Sequence, residues 1–474
     1  MNEPVVIHWF RRDLRLDDNL ALQAALETGL PVLPVFIFDP AILRSPRTSA
    51  LRLRFMLDAL RSLDASLQKR GGKLVIRTGS PAAILAEIVS YIGARALYYN
   101  RDYSPYARRR DALVQQQLGI PTLGFDDALL AAPGDVMKPD GQPYTVYTPF
   151  MKAWKLLPKS QPILTKTGRF AGADMCPGDA LPTLRDLAGV DDLLLGLEAR
   201  EEAAQRRLRQ FMGGPVFTYG ETRNGLAPEP FNETSTMLTS VLSPYLRFGL
   251  LSPRQAYQAA RAAYTNAPDA QARQSVESWV NEIVWREFYM HILYHFPYVD
   301  RGNFRREYNA LTWRDVPNEL EAWKCGQTGY PLVDAAMRQL KELGWLPNRA
   351  RMVVASFLAK DLLVDWRAGE LHFMQHLIDG DPAANNGGWQ WTAGTGTDAQ
   401  PYFRVFNPIS QSRKFDPEGA YIRRWVPELR DVPDSCIHTP WEMPIPPRGY
   451  PPRLVDHDAS RERALAAFGA IKRE

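Results

Sequence analysis

The sequence predicts two architectures in one chain: an N-terminal α/β domain built on a doubly wound parallel sheet, and a large all-α C-terminal domain. Three observations predict them. Short apolar runs alternate with amphipathic segments from Pro4 to Phe125. A proline-rich stretch without strong periodicity follows. Beyond it every strong pattern is helical, and at 474 residues the chain exceeds what one hydrophobic core supports.

Val5 to Trp9, Val32 to Phe38, Leu74 to Arg77, Ala96 to Tyr99 and Thr122 to Phe125 read as buried strands. Leu20 to Thr28, Leu51 to Gln68, Ala82 to Tyr91 and Ala107 to Leu118 carry helical spacing between them. Such alternation gives a parallel sheet covered by helices, with ligands beyond the C-terminal strand ends. The loop after the first strand, Phe10 to Asn19, holds three arginines, with solvated surface as one reading of them, and no glycine-rich phosphate signature. From about 131 to 195, Pro133, Pro139, Pro143, Pro149, Pro158, Pro162, Pro177 and Pro182 break the helical windows, so this segment reads as a linker over the surface. Glu198 to Met212 reads as an exposed charged helix, and Ser252-Pro253 as a helix start. Trp279 to Phe296 and Ala350 to Val364 are apolar all round and read as core helices. The expected domains are 1–130 (α/β), 131–198 (linker) and 199–474 (helical).

Composition narrows the classes. Apolar residues at 45% and charged residues at 23% are ordinary for a soluble globular protein. A net charge of +4 means that nucleic-acid affinity has to come from a local basic patch. Cys176, Cys325 and Cys436 lie far apart without metal spacing, which points to a reduced, cytoplasmic protein. The N-terminus lacks a signal-peptide pattern, and no apolar run reaches membrane-span length. His291 and His295 sit four apart with no third ligand nearby, so no metal site is expected.

Four stretches carry candidate chemistry. Asp379-Gly-Asp-Pro-Ala-Ala-Asn-Asn-Gly-Gly-Trp-Gln-Trp391 is rich in residues that break helices and strands, and reads either as a rigid loop holding a flat polar ligand or as a turn-rich connection anchored by two tryptophans. On the predicted core helix, Trp279, Glu282 and Arg286 share a face, with Trp285 and Tyr289 beside Glu282. A buried carboxylate and guanidinium there pair with each other or meet a ligand. Asn348, Arg351 and Met352 gather one turn into a helix that starts at Pro347. The hydroxyls of Thr239-Ser-Val-Leu-Ser243 precede a helix and could bind an anion, a weak signal taken alone.

Together Trp279 to Tyr289, Trp345 to Met352 and Asp379 to Trp391 closely resemble the photolyase–cryptochrome family, as do Thr328 to Arg338 and Phe403 to Pro408. The match runs in order from Trp9 to Trp425. The resemblance implies FAD inside the helical domain and a light-harvesting second chromophore near the α/β domain. It implies that Tyr219, Thr239, Ser240, Val241, Leu242 and Ser243 touch the FAD phosphate region. Trp279, Arg286 and Arg351 would line the cavity, Asp379 and Asp381 would hold polar edges of the cofactor, and Asn385 would face the reactive ring nitrogen. Glu282, Trp285, Asn348, Met352 and Trp391 would form the substrate cavity, and Arg223, Arg349 and Arg404 would contact DNA phosphates. Trp389, Trp366 and Trp313 match an electron-hopping chain, for which plain core anchors are the structural alternative.

The expected reaction is blue-light-driven electron transfer from reduced FAD into a flipped-out cyclobutane pyrimidine dimer, making the chain a carbon–carbon lyase that acts as a monomer on damaged DNA. Asn348 and Met352 stand where six-four relatives carry His, which favours cyclobutane dimers. A cryptochrome-like photoreceptor is the alternative, disfavoured by the short tail after Trp425. Phe36, Asp39, Arg52 and Asp102 fall where deazaflavin-type relatives bind their antenna. An 8-hydroxy-5-deazaflavin is therefore favoured, with methenyltetrahydrofolate or another flavin left open. Two departures stand out: Gly225 to Met237 is longer than usual, and Pro347 replaces a frequent His.

Overall fold

A computed structural model describes residues 3–165, 167–172, 174–226, 229–232 and 237–471. The predicted segment Gly225 to Met237 lies partly outside them. Contacts divide the chain into two compact units. The first comprises Met1–Tyr144, Thr148–Phe217 and Ser240–Pro297, and the second Thr145–Tyr147, Thr218–Thr239 and Tyr298–Glu474. Compactness thus places Ser240–Pro297 with the sheet, whereas composition grouped it with the later helices.

In the first unit, β1 (Val6–Phe10), β2 (Val32–Phe38), β3 (Val75–Thr78), β4 (Leu97–Asn100) and β5 (Thr122–Phe125) form one sheet in the order β3-β2-β1-β4-β5. All pairings are parallel. β1 and β2 are buried throughout, as a sheet covered on both faces requires. The chain winds outward from β1 to β3 and then crosses back to β4, so the order reverses between β1 and β4.

The loop after β1 occupies that reversal, and its arginines are not solvated. Arg15 is 1% exposed and bonds both Asp127 carboxylate oxygens at 2.8 and 2.7 Å. Arg254 joins the same network, 3.0 Å from Asp18 and 2.7 Å from Asp127. Arg11 meets Asp111 at 2.6 Å. Burial acts to raise the Asp13 pKa, but the neighbouring His8 and the hydrogen bond from the Arg11 N–H bring it down to about 2. These charges are tolerable because each has a partner.

The linker has more structure than its prolines suggest. It contains the helices Tyr147–Leu156 and Leu184–Ala188, and Phe170 bridges Val32 of β2 in parallel. Pro149 falls in the first turn, where its missing N–H costs nothing. Trp154 is fully buried and donates its indole N–H to Glu287 at 2.6 Å.

The second unit is helical. Pro317–Cys325, Pro331–Leu343, Asn348–Ser356, Trp366–His376 and Pro382–Ala393 surround a core that includes Trp323, Met337, Leu358, Phe373 and Trp389. The Thr328 to Arg338 motif owes its composition to this packing. Buried Asp334 accepts from Thr328 N at 2.6 Å, Gly329 N at 3.0 Å and the Tyr450 hydroxyl at 2.7 Å, fixing the turn before its helix. The apolar run expected as one helix over Ala350 to Val364 is α-helical only to Ser356 and becomes a π-turn at Phe357–Asp361.

The expected loop at Asp379 to Trp391 is largely a helix, Pro382–Ala393. Its termini explain why. Asp381 caps the N–H groups of Ala383 and Ala384 at 2.9 and 3.2 Å, worth about 1 kcal/mol. Pro382 takes the first turn, and Gly394, at φ +83°, closes the C-terminus with its N–H on Gln390 O at 3.0 Å. These signals and tertiary packing overcome the roughly 1 kcal/mol that each interior glycine costs relative to alanine.

Candidate active site

The face of the Pro382–Ala393 helix sets the site in the second unit. Asn385, Gly388 and Trp391 recur every three residues and share one stripe. Asn385 is buried and Trp391 half-buried. A Cβ built on Gly388 meets nothing within 4 Å, so packing does not demand a glycine there. Asn385 Nδ2 donates to Glu370 O at 3.0 Å and to Glu370 Oε1 at 3.1 Å. With the amide nitrogen spent on Glu370, the Asn385 oxygen is turned away from it as an acceptor. Glu370 is 3% exposed and escaped the sequence reading, although a carboxylate inside an apolar helix was a signal.

Arg351, on the Asn348–Ser356 helix, holds the chain just before the Pro382–Ala393 helix. Its Nη2 contacts Asp379 at 2.8 Å and its Nε the Leu346 carbonyl at 2.9 Å. The Asp379 side chain is 4% exposed and that of Arg351 27%, so the guanidinium keeps an open edge. Asn348 is exposed and Met352 half-buried on the same short helix. Trp345 packs on Phe231 with ring centroids 6.1 Å apart.

The three arginines expected at DNA sit together. Arg349 bonds Asn224 at 2.8 Å and Gln411 at 3.3 Å, and lies 4.5 Å from the Phe415 ring centroid. Burial first, and then Arg223 and Arg404, push its pKa below the usual arginine value. Such clustering of like charge suits a polyanion. Tyr219 is buried beneath Arg223, whose guanidinium carbon stands 5.9 Å from its ring centroid.

The three tryptophans expected as a relay meet at one core cluster. Trp389 and Trp366 are buried within it, and Trp313, partly buried, packs against the cluster. A Cβ on Gly369, one turn beyond Trp366, would fall 2.1 Å from the Trp389 ring. Glycine at 369 therefore lets the rim of the Trp389 indole press against the helix that Trp366 begins. Trp323, fully buried, adds an indole 6.0 Å from Trp389.

In the first unit, the Ala270–His295 helix presents Glu282, Trp285 and Arg286, none of them fully buried, beside buried Trp279. Trp285 packs edge-on to Phe288 at 5.7 Å and against Tyr289 at 5.5 Å. Trp279 donates its indole N–H to Ser240 Oγ at 3.2 Å, and the Ser240 carbonyl accepts from Arg207 at 2.8 Å. Next to it Val241 has φ +48°, rare for a β-branched residue and a mark of a functional turn. Leu242 is buried and Ser243 exposed. Arg286 also reaches the Ala128 carbonyl at 2.8 Å. His291 and His295 share the Pro133 carbonyl at 3.2 and 3.0 Å, and no metal-ligand cluster occurs among the described residues.

Of the residues expected at an antenna, Phe36, Asp39 and Asp102 stand at or just beyond the C-terminal ends of parallel strands, where such folds bind ligands, while Arg52 lies on the helix Ala50–Gln68. Phe36 lies near the end of β2, and Asp39 just beyond it caps Ala41 N at 3.0 Å and accepts from the Tyr106 hydroxyl. Asp102 follows β4 and pairs with Arg12 at 3.2 Å. Burial would raise the Asp102 carboxyl, but Arg12 and the Ser104 N–H hold it well below the usual range. The Arg52 guanidinium reaches the Arg47 carbonyl.

By their chemistry, the hydroxyls and strained turn of the first unit suit a phosphate, and in the second unit the carboxylates and guanidinium suit polar edges of FAD and the oriented amide acceptor a ring N–H. Comparisons agree. Residues 6–165 match the family model described as DNA photolyase, and residues 279–470 the one described as FAD binding domain of DNA photolyase. A deoxyribodipyrimidine photo-lyase of Synechococcus sp. is 40% identical, aligned over 98% of this chain and 97% of its own. The structure of a bacterial class III photolyase from Agrobacterium tumefaciens superposes with TM-score 0.90 at 37% identity, covering 100% and 99% of the two chains. An archaeal photolyase from Sulfolobus tokodaii with two FAD molecules gives 0.84 at 34%, covering 98% and 100%. The chain therefore belongs to the DNA photolyase family.

Proposed function

We propose that this protein is a deoxyribodipyrimidine photo-lyase, a FAD-dependent enzyme that uses blue light to split cyclobutane pyrimidine dimers in DNA. Its near full-length likeness to relatives of that name carries the reading. Bound and reduced, FAD supplies the photoexcited electron donor. The protein's own groups bind, orient and shield. Tyr219, Thr239 to Ser243, Trp279, Arg286, Arg351, Asp379 and Asp381 hold the cofactor, and Asn385, fixed by Glu370, accepts from its ring N–H.

Glu282 hydrogen-bonds the dimer, Trp285 and Trp391 stack on it, and Asn348 and Met352 line the cavity. Arg223, Arg349 and Arg404 grip the phosphates, so position is set without reading sequence. A damaged pair is already weakened, which lowers the cost of flipping it out. Trp389, Trp366 and Trp313 relay electrons inward when the cofactor has to be reduced.

The functional division follows as 1–130 for the antenna, 131–198 for the linker and 199–474 for catalysis. An 8-hydroxy-5-deazaflavin is the favoured second chromophore, supported by Asp39 and Asp102 beyond the strand ends. A second flavin, as in the archaeal photolyase with two FAD molecules, is the competing reading. No described helix is long and apolar enough to cross a membrane, and a monomeric cytoplasmic protein is the simplest setting. Replacing Glu282 by alanine tests the assignment. It should weaken dimer binding roughly 10- to 100-fold, as loss of a charged hydrogen bond predicts, with FAD content unchanged. Unaltered dimer affinity would remove Glu282 from the site.

A further inference from the structure

We propose that Asn303 tunes the tryptophan relay: its side-chain carbonyl holds the indole N–H of Trp366, so that an electron hole arriving there keeps its proton and moves on outward. The proposal rests on the relay reading of Trp389, Trp366 and Trp313. The Trp366 Nε1 to Asn303 Oδ1 distance is 2.8 Å, and both residues are 1% exposed. The amide orientation is fixed by its other end, because Asn303 Nδ2 donates to Asn309 Oδ1 at 3.0 Å and leaves the oxygen for the indole.

Asn303 is itself held from the relay helix. Gln390, between Trp389 and Trp391, accepts from Phe304 N at 2.8 Å and donates to Gly302 O at 3.2 Å, gripping the residues on either side of Asn303. The same Gln390 amide also bonds Val299 O at 3.2 Å and Asn386 Oδ1 at 2.9 Å. One buried side chain thus sets the position of two tryptophans by sequence adjacency and of the acceptor for a third.

The chemistry follows from the partner's basicity. An indole that loses an electron becomes a strong acid. A carboxylate in contact would take the proton and trap a neutral radical. An amide oxygen is too weak a base to take it, yet its bond to the N–H strengthens when the ring becomes charged. That strengthening offsets the Arg367 guanidinium, 5.0 Å from the Trp366 ring centroid and paired with Asp365 at 3.0 Å. With the photoexcited oxidised flavin as oxidant, one electron passes from Trp366 to oxidised Trp389 and one from Trp313 to Trp366. No bond at Trp366 breaks, and its proton stays on nitrogen.

Laser-flash absorption of the FAD-loaded protein tests this on W366F, N303L and N303D, with indole N–H NMR of tryptophan-labelled protein in the dark. W366F should abolish long-lived charge separation. N303L should shift the Trp366 indole resonance and lower the charge-separated yield about tenfold, the factor expected for one charge-assisted hydrogen bond. N303D should convert the Trp366 radical from cation to neutral form. If W366F leaves the yield intact, the relay reading fails. If W366F abolishes it while N303L and N303D match the parent in yield and radical form, the relay stands and the role of Asn303 is overturned.

Discussion

Lys360 is the least comfortable charge among the described residues of the second unit. It is fully buried, with its Nζ 3.4 Å from the Tyr402 carbonyl and 3.5 Å from the Phe468 ring centroid. Burial brings its pKa from 10.5 down to about 7. Between these values the unfolded chain binds a proton that the folded chain does not, so stability should rise with pH from about 7 towards 10.5. Below that window both states are charged and the full cost applies. At about 1.4 kcal/mol per pKa unit the cost is a few kcal/mol, which the ring face partly offsets. Lys360→Met should therefore stabilise the protein at pH 7 and flatten its pH profile in urea unfolding. A profile parallel to the parent's would show that Lys360 is solvated after all. Asn385 offers a second test at this scale. Glu370→Ala removes one of the two acceptors that hold the amide, leaving only the backbone carbonyl, and should weaken FAD retention on dilution, whereas Glu370→Gln, which keeps a side-chain acceptor, should do so less.

At the scale of elements, the Ala270–His295 helix does two jobs along its length. One edge carries Glu282 and Trp285, and another grips the chain leaving the sheet. Glu287, 1% exposed, accepts from Leu130 N at 2.5 Å, Ala131 N at 3.2 Å and the Trp154 indole at 2.6 Å. Glu287→Ala orphans three buried donors and should cost about 3 kcal/mol or more in urea unfolding. A loss under 1 kcal/mol would mean that water replaces the carboxylate. The strands were legible to within a residue, since buried parallel strands write themselves as apolar runs. Asp379 to Trp391 was not, because its glycines and proline speak for a loop while its caps speak for a helix, and tertiary packing decides between them. The candidate chemistry-bearing residues were assigned through motif resemblance. Glu370, Asn303 and Lys360 were not, because each takes its meaning from a partner distant in sequence. The arginines after β1 were open to a surface reading for the same reason: Asp111, Asp127 and Arg254 lie far along the chain.

For the whole molecule, a net charge of +4 leaves DNA affinity to local basic clusters, of which Arg223, Arg349 and Arg404 are the proposed one. Arg404→Gln should lower affinity for damaged and undamaged DNA alike and reduce the salt slope by about 1. A selective loss for damaged DNA would instead place Arg404 at the dimer. The central claim is light-driven repair of cyclobutane dimers by bound FAD. The most direct measurement incubates the purified, reduced protein with an oligonucleotide bearing one such dimer, in blue light and in darkness, and quantifies intact thymines. The account predicts restoration in light, none in darkness, and no effect on a six-four photoproduct. Restoration in darkness, or repair of the six-four lesion with the dimer left intact, would contradict it.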